Sequence, residues 1–239
     1  MWSAYAVSEA GSAVGAGALP LLAVLVLDAS ALQVSVLAAV SGVVAAIAVV
    51  PLAPWVERHR KRPVMVAADL LRGVALGSVP VAAVAGLLTY GQLLMVAAVQ
   101  TAGSLVFAAA GGAHLRQLLP AGWRATAASR FETTFWTASF AGAPLSGLLL
   151  TLLGTTATIG VDAMSFLASA VDIRRLRSPE PLPAARAAAT SRGGVRGWVR
   201  EAGVGWRYIA RHAALRGLFA NAMVLSPPAL LLPATASAP

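Results

Sequence analysis

The 239-residue chain has a net charge of +9, yet only 11% of its residues are charged and 58% are hydrophobic, with a mean hydropathy of +0.76. A soluble domain of this length carries about a quarter charged residues. Cysteine is absent, which excludes a disulfide framework and a thiolate metal site.

Residues 10–27, 29–56, 73–113 and 133–161 hold no charged side chain. Each run reaches or exceeds the roughly 17–25 residues that cross a bilayer core. No water is present there to satisfy peptide groups, so such runs must be helical. The sequence therefore reads as an all-α polytopic membrane protein. The amino terminus shows no short basic region, short apolar core and cleavage site in succession, so the first span is expected to act as its own uncleaved signal.

In chain order, span 1 is predicted over residues 3–27, followed by a tight turn at Asp28-Ala29-Ser30. Span 2 covers 31–55, with Trp55 at an interface as aromatic girdles require. The stretch "ERHRKRP" follows, the densest group of charges in the chain. Span 3 covers 64–86, and "LLTYG" turns the chain with Tyr90 at headgroup level. Span 4 covers 92–113 and is followed by a loop holding Arg116, Trp123 and Arg124. Span 5 covers 126–153, "GTT" makes a turn, and span 6 covers 155–173. The first domain is thus a six-helix bundle over 1–173.

Counted by side, the loops after spans 1, 3 and 5 contain no lysine or arginine. Arg58, Arg60, Lys61 and Arg62 follow span 2, and Arg116 and Arg124 follow span 4. With Arg72 and Arg130 near span ends and the rest after span 6, all 18 basic residues fall on one side. The positive-inside rule makes that side cytoplasmic and places the amino terminus there too. Arginines clustered between spans point to a lipid bilayer, not to nucleic acid. The plasma (inner) membrane is the expected location.

Residues 174–194 read as a flexible cytoplasmic linker rich in Pro, Ala and Arg. Over 195–213, Arg196, Arg200, Arg207 and Arg211 fall on one arc opposite Val195, Trp198, Val199, Ala202, Trp206 and Ile209. That pattern is an amphipathic helix suited to the headgroup layer. Residues 214–239 begin a seventh apolar segment, interrupted by Pro227 and Pro228, and end in a low-complexity tail.

Ionisable residues inside spans carry the most information. Each costs roughly 2.5–3.5 kcal/mol at a helix centre, so it faces a cavity or a partner. Glu9, Asp69, Arg72, Arg130, Glu132 and Asp162 qualify. Asp69 and Arg72 are three apart on one helical face and are expected to form an intramembrane ion pair. Glu9, Glu132 and Asp162 are candidates for a proton or substrate pathway, with Asp162 nearest mid-span. Gly11 and Gly15, and Ala138, Gly142 and Ser146, are spaced by four, which suits close helix packing. His59, His114 and His212 form no ligand cluster, so no metal or cofactor is expected. No nucleophile elbow or phosphate-binding loop appears, which argues against an enzyme.

"APWVERHRKRP" resembles the loop signature of the major facilitator superfamily, G-x-x-x-D-R-x-G-R-R. Ala53 stands for the first Gly, Glu57 for Asp, Arg58 for Arg, Arg60 for the second Gly, and Lys61-Arg62 close the match. "VSEAGSAVGAGALPLLAVLV", "VMVAADLLRG", "VDAMSFLASA" and "VREAGVGWRYIARHAALRGLF" are similar to the macrolide-efflux and enterobactin-exporter-like branch. In span 5, "GAPLSGLL" resembles the antiporter signature G-P-x-x-G-G, aligned on Pro144 and Gly147, with Ala143 and Leu148 replacing two glycines.

The resemblance implies a six-helix half built as a 3+3 inverted repeat, here the amino-terminal half plus the start of a seventh span. A substrate path then lies between two such halves. It further implies efflux of a small molecule, drug-, macrolide- or siderophore-like, by proton antiport. A gate loop at Glu57, Arg58, Lys61 and Arg62 belongs to that reading. A second transporter half or a homodimer would be the partner. The alternative is a truncated, non-transporting membrane fragment or an interaction partner.

Overall fold

The computed structural model describes residues 2–175, with the side chains of 49–51, 53–54 and 121 excepted, together with 207, 211–213 and 215–217. The chain divides into two compact units, Met1–Ala187 and Ala188–Pro239. In the second, the Arg216 N–H donates to the His212 carbonyl at 3.0 Å, the bond of one helical turn. Otherwise the predicted linker 174–194 beyond Arg175, the amphipathic helix 195–213 and the segment 214–239 lie outside the described residues.

Among the described residues the first unit is helical throughout: α1 (Trp2–Gly15), α2 (Ala18–Leu27), α3 (Ala31–Arg58), α4 (Lys61–Val84), α5 (Tyr90–Leu118) and α6 (Ala121–Arg175). Five stretches, counting α1 with α2, are long and apolar enough to cross a membrane. The sequence predicts one unbroken span over 3–27, but the helix breaks at Ala16-Gly17. Pro20 lacks the N–H that would bond to the Ala16 carbonyl, so the helix loses a rung where it breaks.

The stretch α6 is two limbs. Gly154 has φ 78 and ψ 170, a conformation open chiefly to glycine. Partners along α1 show that the chain reverses there. On the first limb, Trp2 bonds to Thr134, Tyr5 stacks on Phe131, and Ala13 packs on Gly142, so both run the same way. On the second, Ser3 bonds to Asp172, Gly11 meets Ser165, and Gly15 meets Asp162, so the order is reversed. α6 therefore supplies spans 5 and 6, and the bundle has six crossings.

The packed pairs are span 1 with both limbs of α6, α3 with α5, α4 with α5, and α4 with α6. Exchanging the first three spans for the last three maps this set onto itself. Span 1 on 5 exchanges with span 4 on 2, and span 1 on 6 with span 4 on 3. That is the contact pattern of a 3+3 repeat.

The two ends of the bundle differ chemically. At one end, Ser30 and Gln33 form a reciprocal capping box on α3, Thr89 caps α5, and the Tyr90 hydroxyl donates to the Gln33 carbonyl at 2.7 Å. Here Asp28 ends α2 in the left-handed region at φ 49, which aspartate tolerates. At the other end basic side chains close the helices. Lys61 Nζ donates to the Val56, Glu57 and His59 carbonyls at 2.7, 2.8 and 2.6 Å. Arg124 donates to the Leu119 and Arg116 carbonyls at 3.1 and 2.9 Å. Arg62 donates to the Ile173 and Arg174 carbonyls at 3.0 and 2.9 Å. Carboxy-terminal carbonyls lack intrahelical donors and carry the negative end of the dipole, so cations satisfy them.

These caps correct two predicted loops. Glu57 and Arg58 lie in the last turn of α3, and Lys61 and Arg62 in the first turn of α4. Arg116 ends α5, and Trp123 and Arg124 begin α6. Apolar runs end at the first charge, whereas backbone hydrogen bonding continues until a cap stops it.

Candidate functional site

Two apolar clusters fill the bundle. One contains Leu22, Leu37, Leu76, Val79, Leu93, Ile159 and Phe166. The other contains Ala4, Val56, Val64, Met65, Phe107 and Ile173. Along span 1, α4, α5 and the second limb of α6, a polar layer separates them.

Arg72 is its centre. Its Nε donates to Gln100 Oε1 at 3.0 Å, and Nη2 donates to Ser12 Oγ at 3.3 Å. Nη1 stands 3.6 Å from Asp69 Oδ1, and the guanidinium carbon lies 3.9 Å from the Phe166 ring centroid. Four spans thus converge on one cation. Phe166 offers the negative face of its ring, and Asp69 on the same helix supplies the counter-charge. Close backbone approach makes the convergence possible. A Cβ at Gly103 would sit 2.5 Å from Arg72 Cγ.

Asp69 is fully buried, and its Oδ2 accepts from Ser169 Oγ at 2.6 Å. Asp162 is buried too and lies against Gly15, where a Cβ would come within 2.9 Å of its own Cβ. Asp69 Oδ1 and Asp162 Oδ1 accept no hydrogen bond among the described residues. Asp69, Asp162 and Glu9 all act electrostatically on Arg72. Asp69 and Asp162 are thus buried with the Arg72 guanidinium, only Asp69 is paired with it, and neither Oδ1 accepts a hydrogen bond among the described residues. Such an arrangement is costly in an apolar medium unless ions, water or protons complete it.

Glu132 lies elsewhere. It is exposed, accepts from Trp136 Nε1 at 2.9 Å, and lines a cavity of about 280 Å³ with Tyr5, Met65, Phe107, Leu115 and Phe131. Tyr5 and Phe131 meet edge to face, with centroids 4.8 Å apart. Tyr5, Glu9 and Ser12 follow one another at helical spacing along α1, from this cavity to the Ser12 hydroxyl that accepts from Arg72.

The signature-loop residues separate into two kinds. Lys61 is buried and caps α3, and Arg62 ties α4 to the end of α6, whereas Glu57 and Arg58 are exposed. The antiporter-like positions Pro144 and Gly147 face outward, and a Cβ at Gly147 would meet nothing. Their neighbours Gly142 and Ser146 are buried instead, and a Cβ at Gly142 would lie 2.9 Å from the Ala13 carbonyl.

Reading the sequence by charge alone misses Ser12, Gln100, Phe166 and Ser169, which complete the shell around Arg72 and Asp69. Gln100 offers a usable signal, because a carboxamide within a long apolar run needs a partner just as a charge does.

No curated protein and no solved structure matches the chain. The sequence model of the Major Facilitator Superfamily matches residues 1–237. With six apolar crossings, a repeat-like contact pattern and a charged layer held between spans, the chain belongs to the major facilitator superfamily, a family of membrane transporters.

Proposed function

We propose that this membrane transport protein drives efflux of a small molecule by proton antiport, with Asp162, Glu9 and Glu132 as its proton-carrying groups. The observation that supports this reading is a pair of buried carboxylates, Asp69 and Asp162, beside one buried cation, Arg72, with Asp162 Oδ1 accepting no hydrogen bond among the described residues. A proton on Asp162 supplies the missing hydrogen and cancels one charge. Its release restores the attraction to Arg72. The line through Glu9 and Tyr5 to Glu132 gives the proton a route to the cavity at the basic end, which is cytoplasmic by the positive-inside rule.

The six-span unit forms one wall of the transport path and closes against a second unit. The exposure of Glu57 and Arg58 at the end of α3 supports a role for them as gate charges toward a second transporter half. Lys61 and Arg62 hold the helix ends that carry them. The chemistry of the branch it resembles makes amphiphilic drugs, macrolides or siderophores the substrate class.

Liposomes containing the purified chain, with and without a co-expressed second six-span unit, test the proposal. A panel of amphiphilic dyes is expected to move against an imposed pH gradient, and Asp162→Asn is expected to remove the dependence on that gradient. Absence of gradient-driven movement in both preparations overturns antiport by this chain.

A further inference from the structure

The seam between α4 and the second limb of α6 has a feature the transport cycle does not use. At the basic end it opens into a pocket of about 610 Å³ lined by Arg60, Arg62, Arg174, Val66, Ala67 and Leu70. One turn further along α4, the same seam holds a trough of about 530 Å³ whose lining includes Gly73, Gly77, Pro80, Gly160 and Leu167. We propose that this seam binds an anionic phospholipid, its phosphate among Arg60, Arg62 and Arg174 and an acyl chain along Gly77 and Gly160.

Charge complementarity supports the headgroup end. Three arginines line the pocket and no acidic residue does, and the first turn of α4 contains no acidic residue either. Arg60 stands at the start of α4 without capping it through its side chain. Arg62 is held in position by its bonds to the Ile173 and Arg174 carbonyls, so one guanidinium is oriented before any ligand arrives. Basic pockets between spans on the cytoplasmic side suit anionic headgroups, and guanidinium groups suit phosphate geometry.

The apolar floor argues for a lipid over a free anion. Val66, Ala67 and Leu70 line the same pocket as the arginines and would strip water from phosphate without replacing it. An amphiphile meets both surfaces at once. In the trough, Gly73 packs on Leu167, but Gly77 and Gly160 leave open space: a Cβ at Gly160 would meet nothing and one at Gly77 would reach only Ala163 at 3.8 Å. Exposed Val74, Val161 and Met164 flank it with apolar surface.

Native mass spectrometry of the full chain, released from nanodiscs of equal phosphatidylglycerol and phosphatidylcholine, tests this. The wild type is expected to retain phosphatidylglycerol preferentially, and added inorganic phosphate is expected not to displace it. Arg60→Gln with Arg174→Gln is expected to weaken retention about twenty-five-fold, roughly fivefold per arginine. Gly77→Leu is expected to reduce retention of both lipids by filling the trough. Equal retention of the two lipids by the wild type, displacement by inorganic phosphate, or undiminished phosphatidylglycerol on the double variant overturns the proposal. None of these readouts depends on transport, so they stand apart from the antiport reading.

Discussion

Arg72 is held face-on to Phe166, with its guanidinium carbon 3.9 Å from the ring centroid, while Asp69 approaches it to 3.6 Å. One cation therefore serves an aromatic face, a carboxylate, an amide and a hydroxyl from four different crossings. Removing it leaves Asp69 buried and unpaired. Arg72→Gln is expected to lower stability by about 3 kcal/mol, as breaking a buried pair does. Adding Asp69→Asn should recover part of that loss. Denaturation of the purified variants in detergent checks the cycle, and additivity of the two single effects within about 0.5 kcal/mol would mean that the pair is not coupled.

The neighbouring glycines of span 5 should respond in opposite directions. Gly142 packs on the Ala13 backbone, whereas Gly147 faces open space. Gly142→Ala is expected to cost about 1–3 kcal/mol through overpacking. Gly147→Ala is expected to cost nothing, or to stabilise by up to about 1 kcal/mol through helix propensity. Melting temperatures in detergent micelles distinguish the two, and equal effects would contradict the packing of α1 on the first limb of α6.

Within the signature loop, stability and transport should separate by residue. Lys61→Met removes three hydrogen bonds from a buried ammonium and is expected to cost about 2 kcal/mol. Exposed Glu57→Gln and Arg58→Ala should stay within about 0.5 kcal/mol of wild type while slowing transport. Limited proteolysis between α3 and α4 reports the first effect, and liposome flux reports the second. Wild-type flux in both surface variants would remove them from gating.

Tyr5→Phe keeps the ring contact with Phe131 and deletes only the hydroxyl. If protons pass from Glu132 to Glu9 through that hydroxyl, gradient-driven transport should fall about tenfold, what losing one relay hydrogen bond would cost, with folding unchanged. Unaltered flux would route the proton elsewhere.

The crossings were legible because uncharged runs of bilayer length leave few alternatives to helices. Their ends were less so. Val56 to Arg58 remain helical because Lys61 reaches back to cap them, and no hydropathy window registers a cap. The Asp69–Arg72 spacing was visible within one helix. Ser12, Gln100 and Ser169 were not visible as their partners, because the rotational setting of one span against another is fixed by small-residue contacts such as Gly103 on Arg72. Gly154 was readable as the turn between two oppositely directed spans, and the partner order along α1 agrees with it.

The lysine and arginine caps also link insertion to folding. The charges that bias a span to stop on one side of the bilayer are the atoms that finish α3, α5 and α6. Removing one of those cations therefore acts on two processes at once: it weakens the topological signal during synthesis and opens a helix end in the folded bundle.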